Sequence, residues 1–166
     1  MTATDDAALE RLATELGTTL AARGEWVATA ESCTGGWIAK VMTDVTGSSA
    51  WFHGGLVTYA YAAKAGLLGV DAALLNEHGA VSQPVVEAMA AGARARCGVD
   101  WSCAVSGIAG PGGGTPDKPV GLVWLAWAGP AGISTRAEQF DGDREGVRRQ
   151  SVAGALRGLQ ERIAKT

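Results

Sequence analysis

A chain of 166 residues with 47% apolar and 19% charged side chains has the makings of one ordinary globular domain, able to bury roughly two-thirds of the surface its unfolded form exposes. Its net charge of -3 gives no general grip on phosphate backbones, which argues against a nucleic-acid partner. No run approaches the roughly 18 apolar residues of a membrane span, and the stretch Met1 to Glu10, acidic and without a basic residue, lacks the pattern of a secretory leader.

Leu9, Leu12, Leu16 and Leu20 recur at helical spacing, with Thr4 or Asp5 as N-cap and Gly24 at the stop, so the spacing predicts a helix over Asp5 to Arg23. Trp26 to Ala30 reads as a short strand. It leads through Glu31-Ser32-Cys33-Thr34-Gly35-Gly36 into a helix from Trp37 to about Val45. Thr46-Gly47-Ser48-Ser49 breaks that helix, and alternation over Gly54 to Ala60 predicts a second strand. Short helices follow at Ala62 to Leu68 and Ala72 to His78, then a longer one from Ser82 and Pro84 to about Gly98. Trp101 to Ala109 and Leu122 to Ala128 are near-continuous apolar runs suited to strands covered on both faces. Ile133 to Phe140 alternates like a half-exposed strand, and Gly146 to Lys165 places Val152, Leu156, Leu159 and Ile163 on one helical face. Helices alternating with strands and standing at both ends predict an α/β fold, a three-layer α/β/α sandwich around a mixed, mostly parallel sheet. With no internal repeat or linker, residues 1–166 are expected to form one domain.

The odd cysteine set, Cys33, Cys97 and Cys103, has no CxxC spacing and argues for a reducing compartment, with cytoplasm as the expectation. The 24 glycines are about twice the usual share and gather between apolar segments. The loop after Ala109 is rich in them, yet it ends in neither Gly-Lys-Ser nor a helix, so it is neither a P-loop nor a dinucleotide fingerprint. Its stiff backbone, with Gly107, Gly110, Gly112 and Gly113, is either a plain connection or a ligand wall. Ser32, Thr34, Gly35 and Gly36 sit where a helix N-terminus would offer amides to an anion, or where a simple N-cap would stand. His53 and His78 fall in no zinc-binding spacing and read as structural; no metal or cofactor is expected. Lys64, among Ala62, Ala63 and Ala65, is either a surface helix residue or a desolvated amine that has lost proton affinity and can accept a proton from serine.

The strings Thr29-Ala30-Glu31-Ser32-Cys33-Thr34-Gly35-Gly36, Gly47-Ser48-Ser49, and Gly55-Leu56-Val57-Thr58-Tyr59 with Lys64 resemble the C-terminal domain of the CinA family. So do Gly79-Ala80-Val81-Ser82, Ser106 to Gly114, Lys118-Pro119-Val120-Gly121 and Gly142-Asp143-Arg144, in order over nearly the whole chain. The likeness is greatest to the family's stand-alone form, which lacks the N-terminal domain of full-length CinA. It implies hydrolysis of nicotinamide mononucleotide to nicotinate mononucleotide and ammonia by a serine and lysine pair. Carried over by position, Ser49 becomes the nucleophile, with Ser48 the other hydroxyl of the doublet, Lys64 the general base, and Tyr59 a relay for the proton. The nucleotide phosphate is expected at the Thr34 to Gly36 helix start or at Arg144, with the Gly110 to Gly114 loop lining pyridine and ribose. One departure is Ala60-Tyr61, where the family carries a small polar pair, so the wall near Lys64 differs. Two rivals stay open: another small amide as substrate, or a non-enzymatic module connected with competence and recombination. A homodimer with an aromatic interface at Trp51 and Phe52 is also expected.

Overall fold

The computed structural model describes residues 4–166, so the first three residues of the acidic N-terminal stretch lie outside the described residues. The first helix, α1 (Asp6–Arg23), begins where the Asp5 carboxylate accepts from the Ala8 amide at 2.8 Å, and it ends at Gly24. There a left-handed φ of 65° lets the glycine N–H reach back to the carbonyls of Leu20 and Ala21. The remaining elements are β1 (Val27–Glu31), α2 (Trp37–Asp44), a 3-10 turn (Ser48–Ala50), β2 (Phe52–Val57), α3 (Tyr61–Leu68), α4 (Ala72–His78), α5 (Gln83–Cys97), β3 (Trp101–Gly107), β4 (Leu122–Gly129), β5 (Gly132–Gln139) and α6 (Arg144–Ile163). Each expected element is present. The main displacement is β2, which starts at Phe52 and stops at Val57, releasing Thr58 to Ala60 as a loop.

The sheet order is β2-β1-β3-β4-β5, with β1 parallel to both β2 and β3, and β4 antiparallel to both its neighbours. Four strands therefore share one direction and β4 alone is reversed. Period-two alternation gives the sheet two unlike faces. Val27, Cys103, Val105, Val123, Leu125 and Trp127 face the layer of α1, α2 and α6. Ala30, Ala104, Ala126 and Ala128 face α5. Small side chains let α5 lie close to the strands, and Ser102 Oγ donates to the Ala90 carbonyl across the gap at 2.7 Å.

Trp127 shows how tightly the other face is filled. Its indole N–H donates to the Ala155 carbonyl at 2.9 Å, and the Arg162 guanidinium lies 3.7 Å from the ring centroid. Trp51 is likewise a core residue, 2% exposed and pressed on Gly17, where an added Cβ would stand 2.5 Å from the ring. It is thus withdrawn from the surface, and the aromatic interface expected at Trp51 and Phe52 is not what these side chains build.

Three loops that matter leave the sheet at its carboxyl end, after β1, β2 and β3. The chain turns from β1 to β2 on one side and to β3 on the other, so strand order reverses at β1. In open parallel sheets that crevice, outside the carboxyl ends of the strands, is where ligands bind.

A Cβ at Gly158 would lie 2.0 Å from Cζ2 of Trp127, leaving no room without moving the indole. Gly158→Ala is expected to lower the unfolding free energy by about 1–3 kcal/mol in a urea titration; an unchanged midpoint would mean that the α6–β4 packing is looser than described.

Candidate active site

At the end of β1 the chain makes an elbow. The Ser32 amide donates to the Val105 carbonyl of β3 at 3.1 Å, and the Gly35 amide closes a four-residue turn on the Ser32 carbonyl at 3.1 Å. Gly35 and Gly36, with φ of 61° and 98°, then swing the backbone into α2 through conformations that L side chains rarely adopt. The fully buried Glu31 carboxylate fixes this bend. Its Oε1 accepts from Thr34 Oγ1 at 2.7 Å and the Ile38 amide at 2.8 Å, while Oε2 accepts from Thr29 Oγ1 at 3.1 Å and the Ala39 amide at 2.9 Å. A buried carboxylate with four donors is well satisfied, and its charge complements the helix dipole.

The second element of the site comes from the loop after β2. Lys64, in the first turns of α3, is fully buried, and its Nζ meets Ser32 Oγ at 2.9 Å, the Thr58 carbonyl at 2.7 Å and the Tyr59 carbonyl at 2.9 Å. Burial pulls its pKa from the ordinary 10.5 down to about 8, against a weak opposing pull from Cys33. Once neutral, the amine has two hydrogens and one lone pair. The two carbonyls can accept only hydrogens, which leaves the lone pair for the Ser32 hydroxyl. Beside Ser32, Cys33 is no rival nucleophile, because burial raises its thiol to about 11.

A pocket of about 210 Å³ is walled by Cys33, the chain neighbour of Ser32, by Tyr59, whose carbonyl meets Lys64, and by Gly107, Ile108, Ala109, Gly110, Gly112, Gly113 and Arg144. Arg144, first residue of α6, donates to the Gly110 carbonyl at 2.9 Å and lies 3.5 Å from the Tyr59 hydroxyl. Among the described residues no group of three His, Cys, Asp or Glu is arranged to hold a metal ion, and no helix is long and apolar enough to cross a membrane.

The sequence-based expectations divide sharply at this point. Lys64, Tyr59, Ser32, Gly107, Gly110, Gly112, Gly113 and Arg144 do converge on one end of the sheet. Ser48 and Ser49 do not. They form the 3-10 turn before β2, next to Trp51, whose carbonyl accepts from Val27 at the start of β1. β2 spans six residues, so they sit at the amino end of the sheet, a strand's length of roughly 17–20 Å from the carboxyl end that the Lys64 amine faces. A loop preceding a strand and the loop following it cannot meet, which is why the expected Ser49–Lys64 pair is not formed.

Two further expectations change. The Thr34 to Gly36 helix start is no open phosphate site, since Glu31 takes the Ile38 and Ala39 amides and Thr34 is fully buried. Tyr59, 62% exposed, contributes its carbonyl to Lys64, while its hydroxyl faces Arg144 and stands outside the proton path between Lys64 and Ser32. Sequence reasoning also missed Glu31 and Arg148. Glu31 caps amides seven and eight residues ahead, a spacing outside the usual capping box.

A family model described as the CinA C-terminal domain matches residues 9–163, and the chain belongs to that family. It is 53% identical over 159 residues to "Nicotinamide-nucleotide amidohydrolase PncC" of Escherichia coli, covering 95% of this chain and 96% of that protein. It is 57% identical over 148 residues to the protein of that name from Pseudomonas putida, covering 89% and 92%. The crystal structure of a competence-damaged protein (CinA) superfamily protein from Klebsiella pneumoniae has the same fold, with a TM-score of 0.91 at 39% identity over 95% of this chain and 99% of that one.

Glu31→Gln places an amide NH₂ against donors on one side of the elbow. It is expected to lower the unfolding free energy by about 1–3 kcal/mol in urea; a loss below about 0.5 kcal/mol would show that the four hydrogen bonds are dispensable.

Proposed function

We propose that this chain hydrolyses the carboxamide of nicotinamide mononucleotide to nicotinate mononucleotide and ammonia, in pyridine nucleotide recycling, with Ser32 as nucleophile and Lys64 as base and then acid. The amidohydrolase class rests on relatives at 53% and 57% identity that carry this activity in their names. The serine–lysine assignment rests on one observation, the buried Nζ of Lys64 standing 2.9 Å from Ser32 Oγ with two carbonyls to absorb its remaining hydrogens.

In this reading neutral Lys64 takes the Ser32 proton as Oγ attacks the amide carbon, and the carbonyl oxygen becomes an oxyanion. Lys64 then returns that proton to the leaving nitrogen, the C–N bond breaks, and ammonia departs from an acyl-serine ester. Water adds to the ester with its proton taken by Lys64. Collapse expels Ser32, which regains the proton, and the acid product leaves. Protons and bonds balance with substrate, water and the pair.

The pocket of about 210 Å³ is smaller than the roughly 300 Å³ at the lower end of ordinary ligand sites. It suits the pyridine ring and part of the ribose against the Gly107 to Gly113 backbone, with the phosphate at the open rim. Since α2 has given its first amides to Glu31, Arg144 is the cation that serves this phosphate.

Ammonia release from nicotinamide mononucleotide tests the reading. Lys64→Met is expected to lower kcat by about 10²- to 10⁴-fold, Ser32→Ala by at least as much, and Ser49→Ala by less than twofold. Because only the neutral amine works, and its pKa lies near 8, kcat/KM should rise with pH and reach half its plateau near pH 8. Arg144→Gln should raise KM for the nucleotide about tenfold or more and leave KM for the phosphate-free nucleoside unchanged. Wild-type-like turnover by Ser32→Ala would refute the assignment.

A further inference from the structure

In the elbow turn, Ser32 to Gly35, the peptide joining Cys33 to Thr34 is the central one. Arg148, one helical turn beyond Arg144 on α6, grips it from one side. Its Nε donates to the Cys33 carbonyl at 2.9 Å and its Nη2 to the Thr34 carbonyl at 3.1 Å, with the guanidinium 5.5 Å from the Trp37 ring centroid. In a trans peptide the C=O and N–H point in opposite directions. An arginine on the Cys33 carbonyl therefore turns the Thr34 N–H to the opposite face of the turn.

That N–H has no acceptor among the described residues, although Thr34 is 0% exposed. Its neighbours are occupied. The Ser32 amide goes to Val105, the Gly35 amide closes the turn, and the Cys33 amide lies against its own thiol. Buried amides are nearly always paired. An unpaired one, two residues past a nucleophile at a strand–turn–helix junction, is placed like the donors that receive an oxyanion in acyl transfer. A cation on the carbonyl of the same peptide also polarises it, which strengthens the N–H as a donor.

We infer that Arg148 is a positioning residue for the reaction, holding and polarising the Cys33–Thr34 peptide so that the Thr34 N–H stabilises the oxyanion of the tetrahedral intermediate. This rests on the assignment of Ser32 as nucleophile. The arginine touches no substrate itself. Its effect is felt when the carbonyl oxygen becomes charged, so it belongs to the transition state and not to substrate binding.

The test compares Arg148→Met and Arg148→Lys with Arg149→Met. Arg149 is a matched control: it lies 4.9 Å from the same Trp37 ring but pairs with Asp6 and Glu145 and leaves the elbow alone. Arg148→Met should lower kcat about 10²-fold with KM changed less than twofold, and the pH inflection near 8 should stay in place. An aldehyde analogue of the substrate, which forms a tetrahedral adduct on serine, should lose affinity by the same factor, while nicotinate mononucleotide binds as to wild type. Arg149→Met should retain kcat within threefold. If Arg148→Met does not fold by circular dichroism, Arg148→Lys carries the comparison, with an expected loss of about tenfold. A kcat within threefold of wild type, a loss carried by KM, or unchanged aldehyde affinity would overturn the role of Arg148 while Ser32→Ala stays inactive. An active Ser32→Ala would instead remove the nucleophile on which the role depends.

Discussion

A lysine amine taken out of water and tied to two backbone carbonyls is the constraint from which the rest of this site follows. Burial pulls the Lys64 pKa to about 8, so at pH 7 about one molecule in ten carries the free base. The carbonyls of Thr58 and Tyr59 fix where its hydrogens go, and hence where its lone pair goes. Ser32 Oγ stands at that position. Among the described residues no histidine or carboxylate contacts the amine, and desolvation, the largest influence on its base strength, is a property of the fold.

The sheet supplies this arrangement because β1 and β2 are parallel. Their following loops leave the same edge, one carrying the serine and the other the carbonyls and α3. Each side of the elbow is then restrained. Glu31 holds it to the start of α2, and Arg148 holds it to α6. Occupation of the α2 start by a protein carboxylate has a consequence for recognition. The usual anion site of a strand-to-helix junction is closed, which leaves Arg144 at the pocket rim as the candidate for an anionic group.

Much of the fold was legible in the sequence. Leucine spacing located α1 and α6, glycines marked the stops, and the apolar runs at Trp101 and Leu122 located the two strands buried on both faces. Most of the pocket wall was legible too. The serine beside Lys64 was not, because the resemblance carried over by position pointed to Ser49, while Ser32 lay in a string that reads as a helix N-cap or anion site. Ordering the strands tells which of them can lie near Lys64. Loops after parallel strands share an end of the sheet, whereas Ser49 precedes its strand. Glu31 and Arg148 were invisible for a different reason: Glu31 acts across a turn seven residues long, and Arg148 reaches back 115 residues from α6, where it looks like any charged helix residue.

Covalent labelling of serine reads the central claim most directly. A sulfonyl fluoride applied to the folded protein should modify Ser32, as mapped by mass spectrometry of the peptide containing it. The labelling rate should climb with pH and reach half its maximum near pH 8, and Lys64→Met should suppress it. Label found on Ser49, or Ser32 labelling indifferent to Lys64 and to pH, would contradict the account.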